Sequence, residues 1–515
     1  MRLETVLAGH AERRPEHTAV VCGSRRIGYA ALQDSVRRAA CGLHRLGVRP
    51  GDRVLLYLPN GVEFVQLAYA AFTLGAVAVP ATTRLAAPEV AHIARDCRPA
   101  VAAYPAELRE VIAKAGLPQC RALVLGDAQG GEVPLAEILA TPATGLPALA
   151  LGSGEAADDC MIQYTSGTTG RAKGAIVTHA NMLVQCVYMH AVEWGLDRDD
   201  RFLVTTPLAH RTGCSRMFNA LGLGGTLVVM EKFDPARAVE LIERERVTVA
   251  GLVPTVIRML LPHIRENPRR CDSLRRLIVA AEAFPVALKR EIIALLPQAQ
   301  IFSLFGLTEA QVTSLSPAEQ FAHPESVGRA IPGIEIRLVD DAGRDVAAGE
   351  VGELLVRAGI PGRSAVFRGY FDRPEDTAAC LQDGWFRTGD LACADAGGYY
   401  SIVDRKKDMV LSGGFNIYSK EVEQALASHP DIADAAVIGV PDETFGEAVA
   451  AFVETRPGAR LGAEAVIEHC RALLAGYKKP RHVFFVEALP RNSVGKVLKN
   501  RLREMADKDA LDQRI

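Results

Sequence analysis

The sequence predicts an α/β protein with a large N-terminal domain of parallel sheets that ends in a β-rich part, followed by a small α+β C-terminal domain. Three observations support this prediction. Short apolar segments alternate with longer amphipathic ones between residues 161 and 306, helical patterns largely disappear between 333 and 409, and helices and strands return after Asp404. A chain of 515 residues is also too long for one hydrophobic core. We therefore expect domains at residues 1–403 and 409–515, joined by the charge-dense segment DRKKD at 404–408.

The parallel sheet is predicted from the alternation of strand-like and helix-like segments. The strand-like segments are MIQYT, RFLVTTP, TLVVM, VTVAGLVP, LRRLIVAA and AQIFSLFG, and the helix-like ones are HANMLVQCVYMHAVEW, DPARAVELIERE and PVALKREIIALL. This order is typical of a sheet with helices on both faces. Residues 20–125 repeat the rhythm and predict a second α/β layer, and the apolar run near 68–80 predicts a buried helix that enters a strand.

The rest of the chain is predicted from turn and strand patterns. GIEIRLVDDAGRDV and GELLVRAG are interpreted as strands around a DDAG turn, and GYYSIVDRKKDMVL as another pair of strands. After these come a helix over 419–428, strands at AAVIGV and AVAAFVET, a helix near 463–474 and a strand in HVFFVEAL. This compact set is the predicted small domain.

Composition excludes several classes of protein. A net charge of −2, with 49% hydrophobic and 23% charged residues, is ordinary for a globular protein and gives no reason to expect nucleic acid or an anionic membrane as a partner. The eleven cysteines contain no C-x₂-C pair, which argues against a disulfide framework or a zinc site. No segment resembles a membrane span or a secretory signal. We therefore expect a cytoplasmic protein.

The most informative segment is YTSGTTGRAKG at 164–174, which contains four Ser/Thr hydroxyls, three glycines and two cations. Glycine lets the backbone approach a ligand, and hydroxyl and backbone N–H groups donate to phosphate oxygens. The segment lacks the Gly-Lys-Ser/Thr ending of the common phosphate-binding loop, so it predicts a different phosphate cradle. The alternative is an ordinary Ser/Thr/Gly surface loop. The two cations and the amphipathic helix expected directly after the loop favour the cradle.

Two further clusters follow predicted strands. In LFGLTEA, the aromatic Phe305 can stack on a base and the carboxylate of Glu309 can hold Mg²⁺; alternatively, Thr308 caps a helix that Glu309 begins. In GWFRTGDL, Asp390 in a tight turn can accept two ribose hydroxyls, or it simply forms an Asx-turn. Loops after parallel strands meet at one edge of a sheet, where ligands bind.

The last two clusters are weaker by themselves. DRKKDMVLSGGFNIYSKEVE offers Arg405 to a ribose or phosphate, and its paired glycines Gly413 and Gly414 allow close approach of the backbone. The alternative for this segment is a solvated charge run followed by a turn. PRNSVGKVLKN places Lys496 in a flexible stretch, where a lysine is usually an exposed surface residue.

These motifs in this order closely resemble those of the adenylate-forming superfamily, over essentially the whole chain. The superfamily includes acyl-CoA synthetases, adenylation domains of peptide synthetases and firefly luciferases, and GGFNIYSKEVE resembles the CoA-ligase form most. The resemblance implies an ATP-dependent carboxylic acid–CoA ligase that forms an acyl-adenylate, releases pyrophosphate, and passes the acyl group to coenzyme A with release of AMP. ATP, Mg²⁺, coenzyme A and a small carboxylic acid are the implied ligands. A stand-alone enzyme that loads a carrier protein, a luciferase-like oxygenase and a non-catalytic nucleotide-binding scaffold remain alternatives, and a homodimer is left open.

The resemblance also implies roles for individual residues. The implied catalytic residues are Lys173, His210, Glu309 (which holds Mg²⁺) and Lys496, which bridges the reacting carboxylate and the α-phosphate. The implied ATP-binding residues are Thr165, Ser166, Gly167, Thr168, Thr169, Gly170, Ala281, Glu282, Ala283, Phe305, Gly306, Thr308, Asp390 and Arg405. The implied CoA-binding residues are Gly413, Gly414, Phe445, Lys479 and Arg481. Asp404 matches the hinge about which the small domain turns between the two steps.

The sequence departs from the family pattern around the acid. His210, Arg211 and Gln311, with Glu282, are implied near the acyl group, and PLAHRTGC has Arg211 where many relatives carry an apolar residue. These polar side chains favour a short polar acid whose second carboxylate pairs with Arg211. Alternatively, Arg211 faces solvent or binds Glu282 and leaves an apolar slot for aliphatic or aryl acids. Two further departures, Ala172 and Ser419 at usual proline positions, are expected to matter little.

Overall fold

The computed structural model of the protein describes residues 1–145, 158–165, 172–280, 284–491 and 495–512. The described chain divides into two compact units. The first unit contains the described residues up to 336 together with 356–386, and the second contains 337–355 and the described residues from 387 onward. The domain boundary at 404 stays a prediction.

The helices and strands alternate over most of the chain. The strands are β1 (Thr18–Cys22), β2 (Arg25–Gly28), β3 (Arg53–Tyr57), β4 (Val77–Ala81), β5 (Val101–Pro105), β6 (Arg121–Leu125), β7 (Val133–Pro134), β8 (Asp159–Thr165), β9 (Lys173–Thr178), β10 (Arg201–Val204), β11 (Thr226–Val229), β12 (Val249–Leu252), β13 (Arg276–Val279), β14 (Gln300–Gly306), β15 (Gln311–Leu315), β16 (Arg329–Ala330), β17 (Glu335–Val339), β18 (Gly352–Arg357), β19 (Gly369–Tyr370), β20 (Leu381–Gln382), β21 (Trp385–Ala394), β22 (Tyr400–Arg405), β23 (Val410–Ser412), β24 (Phe415–Ile417), β25 (Ile432–Asp442), β26 (Gly446–Thr455) and β27 (His482–Phe485). The helices are α1 (Leu3–Arg13), α2 (Tyr29–Arg45), α3 (Val62–Thr73), α4 (Ala87–Cys97), α5 (Arg109–Ala115), α6 (Leu135–Ala140), α7 (His179–Met182), α8 (His190–Trp194), α9 (Arg211–Leu223), α10 (Pro235–Glu245), α11 (Pro254–Glu266), α12 (Val286–Leu295), α13 (Pro374–Cys380), α14 (Ser419–Ala427), α15 (Ala463–Leu473) and α16 (Lys499–Asp512).

Two large sheets form the first unit. One has the strand order β16-β15-β14-β13-β12-β10-β11-β1-β2, and its six inner strands from β14 to β1 are parallel. The other has the order β19-β9-β8-β4-β3-β5-β6-β7 and is also largely parallel. The predicted α/β class and the second α/β layer are therefore confirmed.

The main core contains residues from both sheets and from the helix α3. Ten of the twelve residues of α3 are buried, because this helix is apolar on every face. It leads into β4, which confirms the buried helix and strand predicted near residues 68–80. No helix of the described chain is long and apolar enough to cross a membrane.

The sequence prediction of the strands was wrong at three places. MIQYT belongs to β8 in the second large sheet and not to the sheet formed by the strands between 201 and 306. The phosphate-loop motif does not lead straight into a helix, because the buried apolar segment of KGAIVT forms β9 first. GYYSIVDRKKDMVL forms the two predicted strands, but they do not pair with each other, since β22 pairs with β21 while β23 pairs with β24 and β26.

The second unit contains residues 337–355 and 387–409 of the predicted β-rich part, together with the small α+β set. The strands β17, β18 and β21 are neighbours in one sheet, with β22 paired to β21. The strands β24, β23, β26 and β25 form another, with β27 parallel to β26. The helices α14 and α15 flank this second sheet with buried residues such as Val422 and Val466, which join its core.

Candidate active site

The ends of the predicted phosphate loop are held by a hairpin. The strands β8 and β9 are antiparallel, and Thr165 pairs with Lys173 at the point where the loop leaves and returns. Residues 166–170 of the predicted ATP set lie outside the described residues, as do 281–283. The hairpin therefore fixes the two ends of the motif in the first unit.

Lys173 and Glu309 are brought together by Tyr370. The Lys173 Nζ lies 2.6 Å from Asp376 Oδ1 and 5.4 Å from the centre of the Tyr370 ring. The Tyr370 hydroxyl donates to Glu309 Oε1 at 2.8 Å. Burial and the neighbouring Glu309 carboxylate raise the pKa of Tyr370, so this hydroxyl keeps its proton and holds the buried carboxylate in place. Sequence reasoning missed both Tyr370 and Asp376, which lie about 200 positions from Lys173 and carry no spacing signal.

The segment around Glu309 is a β-hairpin. Phe305 pairs with Thr313 and Gly306 with Gln311 across β14 and β15, and Thr308 lies in the turn between the strands. The alternative that Thr308 caps a helix is therefore wrong. The side chains of Phe305 and Thr308 are partly exposed, and Gly306 is exposed, so all three are accessible to a ligand.

Asp390 and Arg405 form an ion pair across neighbouring strands. They are register partners in the antiparallel strands β21 and β22, and Arg405 Nε lies 2.6 Å from Asp390 Oδ1. The expectation that Asp390 lies in a tight turn is wrong. Gly389 takes a left-handed φ of +71° inside β21, so the Gly-Asp dipeptide that looks like a turn is an irregularity within a strand.

Lys496 interacts electrostatically with the same ion pair. Desolvation, assisted by the charge of Arg405 and opposed by that of Asp390, lowers the pKa of the Lys496 ammonium to about 8. The side chain is nevertheless exposed, so the group is accessible to a ligand. Three residues predicted from three separate motifs thus lie together in the second unit.

Four of the five predicted CoA-binding residues also form one group in the second unit. Gly413 and Gly414 form the turn between β23 and β24, with left-handed φ values of +58° and +82°. The Gly413 N–H donates to the Phe445 carbonyl at 2.8 Å, and the Arg481 guanidinium lies 4.0 Å from the centre of the Phe445 ring. Lys479, two positions before Arg481, is partly buried.

The predicted hinge residue Asp404 is buried and caps the start of α14. Its carboxylate accepts hydrogen bonds from the Ser419 N–H and from Ser419 Oγ, the latter at 3.0 Å. Lys499 Nζ lies 2.6 Å from Ser419 Oγ and 2.8 Å from Glu423. A proline at 419 has no N–H to donate. Ser419 therefore makes contacts that a proline could not make, and the expectation that this departure matters little stays a prediction.

His210, Arg211 and Gln311 lie in the first unit. His210 directly precedes α9, and burial, assisted by the charge of Arg84, lowers the pKa of its imidazole to about 4. Arg211 donates to Gln185 Oε1 and contacts Met182 Sδ at 2.8 Å, and both partners are buried. Gln185 Nε2 and the Gln311 N–H both donate to the Ala365 carbonyl, at 2.8 and 3.3 Å.

These contacts decide one alternative of the sequence analysis. Arg211 is directed toward buried partners, so the alternative in which it faces solvent is wrong. The other alternative, an ion pair with Glu282, involves a residue outside the described part of the chain.

Several proteins of known function are similar to this chain over most of its length. Residues 7–371 match the model of the AMP-binding enzyme family, and residues 421–496 match that of the AMP-binding enzyme C-terminal domain. Feruloyl-CoA synthase from an Amycolatopsis species is 37% identical over 498 residues, which cover 96% of each chain. The long-chain-fatty-acid–CoA ligase FadD13 of Mycobacterium tuberculosis is 36% identical over 491 residues, 93% of each chain. The crystal structure of ATP-bound MatB from Rhodopseudomonas palustris superposes with a TM-score of 0.86 at 31% identity, covering 98% of this chain and 99% of that one.

The chain belongs to the AMP-binding enzyme family, in its acyl-CoA synthetase branch. It is an AMP-forming acid–thiol ligase, and ATP and coenzyme A are its substrates. The adenylate-forming resemblance seen in the motifs is confirmed.

Proposed function

We propose that this ligase activates a free carboxylic acid in two steps with the residues described above. In the first step a carboxylate oxygen attacks the α-phosphorus of ATP, and pyrophosphate leaves. In the second step the thiol sulfur of coenzyme A attacks the acyl carbon, AMP leaves with the electron pair, and the thiol proton is released. The observation that supports these roles most is the Asp390–Arg405 ion pair with Lys496 beside it.

The phosphates of ATP are assigned to the hairpin loop and to Lys173. The loop supplies hydroxyls and backbone N–H groups, and Lys173 supplies a point charge. Its ion pair with Asp376 and its place over the Tyr370 ring hold the ammonium near Glu309 before ATP binds. ATP phosphates would then compete with Asp376 for this cation.

Glu309 is assigned to Mg²⁺. The described residues contain no group of three or more side chains that could hold a metal by themselves, but Mg²⁺ commonly uses one or two carboxylates together with substrate phosphates and water. A single buried carboxylate, held by the Tyr370 hydroxyl, fits that requirement. The ion would neutralise phosphate charge when bound.

The ribose and the reacting carboxylate are assigned to the second group of residues. Asp390 can accept the ribose hydroxyls, and Arg405 both orients Asp390 and adds a donor. The Lys496 ammonium would stabilise the negative charge that develops between the carboxylate and the α-phosphate. His210 would be neutral at neutral pH, because its pKa is lowered to about 4, and so can donate or accept one hydrogen bond at the acyl group.

The second step is assigned to the group around the Gly413–Gly414 turn. The two glycines leave the backbone open to a narrow pantetheine chain, while Lys479 and Arg481 can bind the phosphates of coenzyme A. Asp404 is the proposed hinge between domains at 1–403 and 409–515. A homodimer and a cytoplasmic location remain proposals, and eleven free cysteines are consistent with a reducing compartment.

Two assays test this function. Acid-dependent exchange of labelled pyrophosphate into ATP reports the first step, and CoA-dependent release of AMP reports the second. We expect both with the correct acid. Exchange without any CoA dependence would instead indicate an enzyme that loads a carrier protein. Nucleotide binding without exchange across a broad acid panel would indicate a non-catalytic scaffold.

A further inference from the structure

Two arginines of α9 lie in a buried polar cluster of the first unit. Arg216 is only 5% exposed, and its guanidinium lies 5.3 Å from the centre of the Trp194 ring. Gly251 in β12 makes room for it, since a Cβ at that position would lie 2.9 Å from Arg216 Cδ. Arg211, five residues earlier on the helix, is bound by Gln185.

Neither arginine forms an ion pair with a carboxylate of the described residues. The two guanidiniums contact sulfur atoms, an amide and an aromatic ring among the described residues. Burial lowers the pKa of Arg216 to about 10, which still leaves the group charged at neutral pH. A buried charge is normally paired, so this cluster carries an excess of positive charge that an anion would neutralise.

The neighbouring polar atoms indicate a binding site more than a closed core. Three buried atoms of this cluster have no hydrogen-bond partner among the described residues: Gln163 Oε1, Arg216 Nη1 and Asn219 Oδ1. They come from β8 and α9, while the side chains of His190 and Gln311 interact with each other. A protein core leaves few buried polar groups unpaired, so three such atoms beside two buried guanidiniums are best explained by a polar ligand.

His190 adds no positive charge to the cluster. Its ring stacks on Trp194 with a centroid distance of 3.9 Å, and Nδ1 contacts Asn219 Nδ2 at 3.1 Å. Burial, assisted by the charges of Arg216 and Arg211, holds its pKa well below the usual value, so the imidazole is neutral. The net charge of the cluster therefore comes from the two guanidiniums.

We propose that the acid activated by this enzyme is a short dicarboxylic acid, whose second carboxylate binds Arg211 and Arg216. The proposal rests on the proposed function, in which His210 lies at the reacting acyl group. Arg211 directly follows His210, and Arg216 lies five residues further, about 7.5 Å of helix rise. This spacing suits a short chain, and a guanidinium suits the planar geometry of a carboxylate.

The test compares acids that differ only at the remote end. Pyrophosphate exchange is measured with malonate, succinate, glutarate and adipate, with the monomethyl ester of each, with hexanoate and with ferulate. The enzymes are the wild type, Arg211→Leu, Arg216→Met and Arg216→Lys. Arg276→Met is the matched control, because Arg276 is a partly buried arginine of the same unit whose guanidinium is paired with Asp200.

We expect the wild type to prefer one dicarboxylate over its monomethyl ester by about 10²-fold or more in kcat/KM. A site built to pair a polar group discriminates strongly against an analogue that lacks this group. Arg216→Met should lower this ratio at least tenfold and raise the activity with the ester or hexanoate, a gain that misfolding cannot produce. Arg211→Leu should act in the same direction, Arg216→Lys should keep part of the preference, and Arg276→Met should keep all of it.

Two results would overturn the proposal and leave the proposed function intact. One is a wild type that uses hexanoate, ferulate or the esters as well as any dicarboxylate. The other is a preference for a dicarboxylate that Arg216→Met and Arg211→Leu leave unchanged. If no acid supports exchange, and none of a wider panel does, the proposed function fails as well.

Discussion

Removing Lys496 should separate the two half-reactions. The ammonium interacts electrostatically with Asp390 and Arg405, which form an ion pair with each other, so Lys496 adds a positive charge to this group. Lys496→Ala therefore removes a positive charge from the point where negative charge develops during adenylation.

A positioned donor of this kind is worth roughly 3–4 kcal/mol, or about 10²–10³-fold in rate. We expect Lys496→Ala to lower acid-dependent pyrophosphate exchange by this factor. Formation of the thioester from a chemically supplied acyl-adenylate and coenzyme A should change by less than about threefold, because a positioned donor lowers the barrier only where charge develops on the groups it contacts. Both rates are measured on the same preparation.

Lys406→Ala is the matched control. The Lys406 ammonium pairs with Asp341 at 2.8 Å and Glu353 at 3.2 Å, so its charge is neutralised and its loss should leave both half-reactions nearly unchanged. If Lys496→Ala lowers both half-reactions equally while the protein remains folded, or if Lys406→Ala produces the same separation, the role given to Lys496 is wrong.

Three further predictions concern pH, the glycine turn and the hinge. The pKa of Lys496 is lowered to about 8 and the protonated form is required, so kcat/KM for adenylation should fall tenfold per pH unit above about pH 8. Lys496→Arg should abolish this decrease at alkaline pH. An unchanged decrease in that variant would contradict the assignment. Gly413→Ala should slow thioester formation more than Gly414→Ala. Both glycines have a positive φ, but only a Cβ at 413 would contact the Phe445 ring, at 3.0 Å. Equal rates of thioester formation in stopped-flow measurements of the two variants would argue against that contact. Asp404→Pro fixes φ at the proposed hinge and should preserve pyrophosphate exchange while abolishing CoA-dependent AMP release, whereas unchanged overall turnover would exclude Asp404 as the pivot.

The sequence predicts the fold well where the apolar period is clear. The strands β10 to β14 and the helices between them follow from short apolar runs that alternate with amphipathic segments. The assignment of a strand to a sheet does not follow, because MIQYT looks like its neighbours in the sequence but pairs with β4 and β9. Sheet membership depends on contacts between distant parts of the chain, which local periodicity does not encode.

The site is predictable in its motifs but not in its supporting residues. Asp390, Arg405 and Lys496 were each found from motifs, and the structure adds that they interact. Tyr370 and Arg216 could not be identified from the sequence. Each lies in an ordinary segment, and its position becomes informative only when the fold brings it to Glu309 or to the buried cluster around Trp194.

Ser419 shows how one departure from a family pattern changes a local structure. Its N–H and hydroxyl both bind the Asp404 carboxylate, and the hydroxyl also meets the Lys499 ammonium. An alternative conformation at Asp404 would leave these buried donors without their acceptor, at a cost of about 1–3 kcal/mol each when no water replaces it. A proline at 419 would retain neither donor. If Asp404 is the hinge, this chain has a more strongly held pivot than relatives with proline, and residue 419 affects the rate at which the second step follows the first.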